Sequence, residues 1–108
     1  MAFDVSMEIT DGTAEITLSG ELDASVATTF KEKVEEAAAQ EAKSLVLHLK
    51  DLDYMASAGI RVLVFAMQKM GSDVRIYAVA PQAQVRETFE MTGLQHSIQI
   101  QEKYSPVE

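Results

Sequence analysis

Few side chains in this sequence are placed to do chemistry, and their neighbours limit what that chemistry is. Ser57 stands in Met55-Ala-Ser-Ala-Gly59, where flanking residues this small leave its hydroxyl open to whatever approaches. To act as a nucleophile a serine needs an adjacent base. No histidine or lysine is close in sequence, and the chain holds only His48 and His96. These two lie in different segments without a partner at ligand spacing. His48, within an apolar run, reads as a packed or edge histidine that finds a hydrogen bond. No His-Glu-x-x-His, paired-Cys or Asp-x-Asp-x-Asp-Gly run is present to hold a metal. Neither Gly-x-Ser-x-Gly nor a phosphate-cradling glycine loop occurs. Asp51 and Asp53 read as turn residues bonding backbone N–H groups rather than as cation ligands. Catalysis, a metal and a cofactor are therefore not expected.

What remains for Ser57 is the start of a helix. Serine is among the best N-caps, its loss to alanine costing about 0.5–2 kcal/mol. Two neighbours exceed what capping needs. Gly59 falls in the first turn, where alanine would be more helical by about 1 kcal/mol. Arg61 puts a positive charge near the positive end of the helix dipole. The glycine admits a foreign backbone or packs tightly on the sheet, and the arginine meets an anion or points to water.

The elements that must position this turn are legible from periodicity. Residues 3–10 and 13–19 alternate apolar with polar around Asp11-Gly12, which predicts an antiparallel hairpin closed by a type I′ turn. Gly20-Glu-Leu-Asp23 breaks the alternation, and Asp23 is the expected N-cap of an amphipathic helix over 24–40. Residues 44–49 are apolar nearly throughout, as in a strand covered on both faces. Helix 58–70 is expected to bury Ile60, Leu63, Val64, Met67 and Met70, stopping at Gly71. A strand over 73–79, a helix opened by Pro81 with Val85, Phe89 and Met91 inward, and a strand over 97–100 complete the order β-β-α-β-α-β-α-β. Right-handed crossovers then give an α/β domain, a mixed sheet with an N-terminal hairpin at one edge and parallel strands covered by helices.

Composition fits one domain. The chain has 108 residues, 47% of them hydrophobic, with a net charge of −8 and no cysteine. That excess of acid excludes a nucleic-acid binder, which needs clustered Lys and Arg, and suits a partner with a basic face. No apolar run is long enough to span a bilayer, and no signal peptide opens the chain, so a cytoplasmic location is expected.

Several motifs in order resemble the anti-sigma-factor antagonists, the stand-alone STAS domains of bacterial signalling. Gly20-Glu-Leu-Asp23 is similar to the family's Gly-x-Leu-Asp before the first long helix. Asp51-Leu-Asp-Tyr-Met-Ala-Ser-Ala-Gly-Ile60 is similar to its Asp-x-x-x-(Met/Ile)-(Asp/Ser)-Ser-(Ser/Thr/Ala)-Gly-(Leu/Ile) segment, and Gly93-Leu94 to the pair closing its third helix. Ala56 stands where the best-studied members carry Asp. The resemblance implies a STAS domain over 1–101 with a polar tail over 102–108. It also implies a non-catalytic module that binds an anti-sigma factor which is itself a serine kinase of the histidine-kinase-like ATPase type. Ser57 would be phosphorylated to release the partner, and a metal-dependent serine phosphatase would reset it. Asp23, Asp53, Met55, Ala56, Ala58, Gly59, Ile60 and Arg61 form the expected docking face. The rival expectations are a scaffold that uses the same face unphosphorylated, as in stress-sensing or lipid-transport complexes, and a nucleotide or small-ligand site at the carboxyl ends of the parallel strands.

Overall fold

The computed structural model describes residues 2–71 and 73–104. Strands β1 (Asp4–Thr10), β2 (Thr13–Leu22), β3 (Ser44–Met55), β4 (Arg75–Val79) and β5 (Gln99–Gln101) lie side by side in sequence order. The β1–β2 pair is antiparallel and the other three pairs are parallel. At the hairpin, Asp11 and Gly12 both take positive φ, as a type I′ turn requires. Helices α1 (Ala27–Ala39), α2 (Ser57–Met70) and α3 (Ala83–Thr92) are the crossovers, and a 3₁₀ turn, Leu94–His96, leads into β5.

Strands laid down in sequence order through crossovers of one hand put every helix on one face of the sheet. The buried residues follow this rule. Ala14, Ile16 and Leu18 of β2, Leu45, Leu47 and Leu49 of β3, and Ile76 and Ala78 of β4 share one core with Phe30 and Val34 of α1, Leu63 and Ala66 of α2, and Val85 and Phe89 of α3. Among the described residues, the opposite face carries no helix. A second small cluster lies there, Val46, Tyr77 and Val79, with Tyr104 resting on it. Among the described residues, coverage of 44–49 therefore comes from helices on one side and from Tyr104 and Ala80 on the other. The Tyr77 and Tyr104 rings meet edge to face at 5.2 Å.

Several boundaries differ from the sequence expectation for identifiable reasons. Strand β2 continues through Gly20 to Leu22, and β3 continues to Met55, because the two stay paired through register shifts that hide period two. Thr17 faces His48, Ser19 faces Asp51 and Glu21 faces Tyr54, so β3 accommodates an extra residue twice. Helix α1 begins at Ala27 rather than 24. Pro81 lies ahead of α3, whose N-cap is Gln82. Met91 is 86% exposed rather than inward, and on α2 Val64 faces out while Val62 and Ala66 are buried. Glu102 and Tyr104, expected in a frayed tail, are held. Arg86 donates to Glu102 at 3.0 Å, and residues 105–108 of the expected tail lie outside the described residues. No helix among the described residues is long and apolar enough to cross a membrane.

Gly20 shows why its motif needs glycine. Its φ is +85°, and a Cβ there would run into the backbone of Ala2 and Phe3. Gly20→Ala is expected to lose about 1–3 kcal/mol through backbone strain alone, read as a lower denaturation midpoint with an unchanged m-value.

Candidate functional site

The two motif segments, far apart in sequence, meet at the carboxyl ends of β2 and β3. Leu22 pairs with Met55, and the Ala56 N–H donates to the Leu22 carbonyl at 2.9 Å. Asp23 therefore emerges beside the turn that leads into α2. Asp53 is the extra residue of the second register shift, between Leu52, which faces Gly20, and Tyr54, which faces Glu21. Bulges of this kind re-aim side chains and cluster next to functional sites.

Ser57 is not the N-cap. Ala56 is, with an extended backbone (φ −81°, ψ 169°), and no side chain caps the helix. The Ala56 carbonyl accepts from the N–H groups of Gly59 at 3.0 Å and Ile60 at 3.4 Å, which makes Ser57 the first helical residue. The cap falls one residue early because β3 runs as far as Met55 and leaves only Ala56 to make the bend. The Ser57 side chain is exposed and is not spent on capping. Asp23 likewise caps nothing. Its carboxylate accepts from the Ser25 N–H at 2.9 Å and the Ser25 hydroxyl at 2.6 Å, forming the turn that delays α1. The hydrogen bond from the Ser25 side chain leads in holding the Asp23 carboxyl below its usual range. Asp51 and Asp53 are strand residues rather than turn residues.

The expected docking face divides by burial. Asp23, Asp53, Ser57 and Arg61 are exposed, and Ala56 and Ala58 are half-buried. Met55 at 1% exposure and Ile60 at 6% belong to the core, so neither offers a side chain to a partner. Gly59 is also buried, and its place is explained from within. A Cβ there would lie 2.8 Å from Leu22 Cδ2 and 2.9 Å from Met55 Cγ, so the missing side chain is what lets α2 settle onto the strand ends.

Two residues absent from the sequence reading brace this region. Gln82 Nε2 donates to the Lys50 carbonyl at 2.8 Å and to Asp53 Oδ1 at 3.3 Å. Gln84 Oε1 accepts from the Met55 N–H at 3.0 Å, while its Nε2 donates to Thr88 Oγ1 at 3.1 Å. The Thr88 hydroxyl donates to the Gln84 carbonyl at 3.0 Å, which fixes the amide orientation. Helix α3 thus clamps the last residues of β3 through side chains, and no periodicity signals a glutamine in that role. Gln84→Ala strands the N–H of a buried residue and is expected to cost about 1–3 kcal/mol. Amide exchange at Met55, measured by NMR, should accelerate far more than exchange in β4.

Other groups of interest lie elsewhere. His48 Nε2 and Glu15 Oε1 are 2.8 Å apart on the helix-free face, the hydrogen bond expected of a packed histidine. A concavity of about 410 Å³ sits at the opposite end of the sheet, lined by Ala38, Glu41, Lys43, Lys69 and Asp73 among others. It is not at the carboxyl ends of the strands, where a nucleotide was the rival expectation.

The family model for the STAS domain matches residues 4–105. The chain belongs to the STAS domain family. This STAS domain is 26% identical over 90 residues to the anti-sigma-F factor antagonist RsfB of Mycobacterium tuberculosis, covering 83% of this chain and 74% of that protein. Among solved structures, an anti-sigma factor antagonist from Mycobacterium paratuberculosis superposes with a TM-score of 0.84 at 22% identity, over 94% of this chain and 87% of that one. The anti-sigma factor antagonist SpoIIAA in its unphosphorylated form superposes with a TM-score of 0.77 at 26% identity, over 92% and 87%. SpoIIAA is also known in a phosphorylated form, which superposes with a TM-score of 0.70 at 25% identity, over 92% and 90%.

Proposed function

We propose that this STAS domain is an anti-sigma-factor antagonist, a non-catalytic cytoplasmic module that binds an anti-sigma factor through the face around Ser57 and is released when Ser57 is phosphorylated. The observation that carries the reading is an exposed serine at the first position of α2, between small Ala56 and Ala58, in a chain whose relatives are anti-sigma factor antagonists. Its hydroxyl has no structural duty to lose. Phosphate adds about −1.5 to −2 charge, and a helix N-terminus receives it favourably through free N–H groups and the dipole. The fold therefore tolerates the modification, while a partner surface fitted to a bare hydroxyl meets bulk and an unpaired charge. Release by repulsion of this kind needs no large conformational change. The partner in this reading is a serine kinase of the histidine-kinase-like ATPase type, and a metal-dependent serine phosphatase restores the bare serine.

Incubation with that kinase and ATP is expected to add one phosphate, located by mass spectrometry at Ser57. A chain left unmodified, or modified only elsewhere, defeats the switch. Ala56, in place of an acid before the serine, favours a second reading in which the same face binds but Ser57 stays bare. Isolation of the protein from its cells with phosphate on Ser57 rules that reading out.

A further inference from the structure

The sheet has two edges, and they differ in how they are protected. Edge strand β5 is only three residues long. Edge strand β1 is seven residues long and pairs on one side with β2 in unbroken register, from Asp4–Ser19 to Thr10–Thr13. Natural edges are blunted by lysine, proline, bulges or shortness. Strand β1, Asp-Val-Ser-Met-Glu-Ile-Thr, has none of these, and its charged residues are the acidic Asp4 and Glu8 on the face away from the core. Its core-side residues Val5, Met7 and Ile9 pack against the main core yet stay only half-buried. Among the described residues, no strand pairs with this edge, and α1 packs on the core side of β1.

The hairpin fixes which backbone groups β1 leaves open. With a two-residue type I′ turn, the flanking pair Thr10–Thr13 exchanges hydrogen bonds, and pairs alternate from there. Thr10, Glu8, Ser6 and Asp4 therefore bond inward to β2. Ile9, Met7 and Val5 present their N–H and C=O groups outward. The open backbone groups and the half-buried side chains thus belong to the same three residues.

We infer that β1 is a homodimerisation edge, in which two copies of this chain pair β1 with β1 antiparallel about a two-fold axis through Met7. In that register Met7 faces its own copy and Val5 faces Ile9, so each open N–H and C=O of these residues finds a partner. Their side chains extend the apolar core face of each subunit across the axis. On the other face Asp4 meets Thr10 and Ser6 meets Glu8, so every carboxylate opposes a hydroxyl. Sliding by two residues either way sets Glu8 against its own copy or Asp4 against Glu8 of the other chain, and like charges directly opposite are destabilising. The sequence of β1 is self-complementary in one register. Antiparallel pairing inverts the second copy, which puts the two Ser57 turns at opposite ends of a continuous sheet, both open. The inference therefore stands apart from the switching reading, and either can fail alone.

Sedimentation of the intact chain tests it. The mass should rise from 11.9 kDa toward twice that value as concentration increases to about 1 mM, where even a weak complex is populated. Met7→Pro removes an outward N–H, a loss edge strands tolerate, together with one half-buried side chain of the core face. It should leave the circular dichroism spectrum intact and abolish the dimer. Ser6→Glu, which sets Glu against Glu8 twice per dimer, should weaken association about tenfold. Adding Glu8→Lys to it should restore association. The chain has no cysteine, so Met7→Cys supplies a lone thiol. Bonded antiparallel pairs have Cα atoms about 5.5 Å apart, within disulfide range. Oxidation should therefore cross-link Met7→Cys and not Thr10→Cys. A chain that stays monomeric throughout, or a dimer indifferent to both Met7→Pro and Ser6→Glu, overturns the proposal.

Discussion

Ser57→Asp is expected to weaken binding to the anti-sigma factor by at least about 30-fold while leaving the fold unchanged. The asymmetry follows from where the side chain sits. Within the domain, a carboxylate at the first position of α2 lies at the positive end of the helix dipole, which is favourable by about 0.3–1 kcal/mol. The native hydroxyl makes no capping bond that the substitution would break. The melting temperature of Ser57→Asp should therefore equal or slightly exceed that of the parent. At an interface the same carboxylate is buried without a partner, and leaving a charge so costs about 2–5 kcal/mol, where each 1.4 kcal/mol is about tenfold in Kd. Ser57→Ala separates recognition from modification. It should bind within about tenfold of the parent and accept no phosphate. Calorimetric titration of the three proteins against the anti-sigma factor reads both effects. Equal affinities for Ser57→Asp and the parent would place the interface away from this turn.

The exposure of Ser57 was legible from the smallness of its neighbours, but its structural role was not. Capping propensity correctly located a helix start and then chose the wrong residue. The length of β3, which decides where the bend falls, depends on the Leu22–Met55 pairing and on the Gln84 amide. Both are contacts across the fold that no local window contains. The same holds for Asp23, a good N-cap by type, which is drawn into a turn with Ser25. By contrast the hairpin, the five strands and the three crossovers were readable, because Asp11-Gly12 and the apolar periods are local signals. The position of the helices on one face follows from strand order plus crossover handedness. The handedness is general, but the apolar run over 44–49 pointed to cover on both faces, which the strand order does not give. Met91 marks a misapplied period rather than a failure of periodicity: two residues past buried Phe89 it is turned about 200° round α3, away from the core face, and stays in solvent.

Gly59 carries the second large effect, and it discriminates between two reasons for a glycine beside the serine. If the glycine admits a partner's backbone, a methyl group there weakens binding and, through alanine's better helix propensity, stabilises the free domain by about 1 kcal/mol. If it admits α2 to the strand ends, the methyl group destabilises the free domain. The distances favour the second reason. The new Cβ would be 2.8 Å from Leu22 Cδ2 and 3.1 Å from Leu22 Cγ, a side chain with no exposed surface, and 2.9 Å from Met55 Cγ. Only the first of these atoms is the free end of a side chain, so the neighbours must shift together. Overpacking of this kind costs about 1–3 kcal/mol, which outweighs the gain in propensity. Gly59→Ala should therefore be less stable than the parent, and Gly59→Val, with two further carbons and a β-branch, less stable again by a similar amount. Leu22→Ala in the same chain should partly relieve Gly59→Ala. The double variant should fall short of the summed single losses by about 0.5–3 kcal/mol, the range for residues in contact, in urea denaturation of the four proteins. A Gly59→Ala domain as stable as the parent would return the glycine to the docking face. A loss relieved by Leu22→Ala assigns it to the seat of α2, and so to the height at which Ser57 is presented.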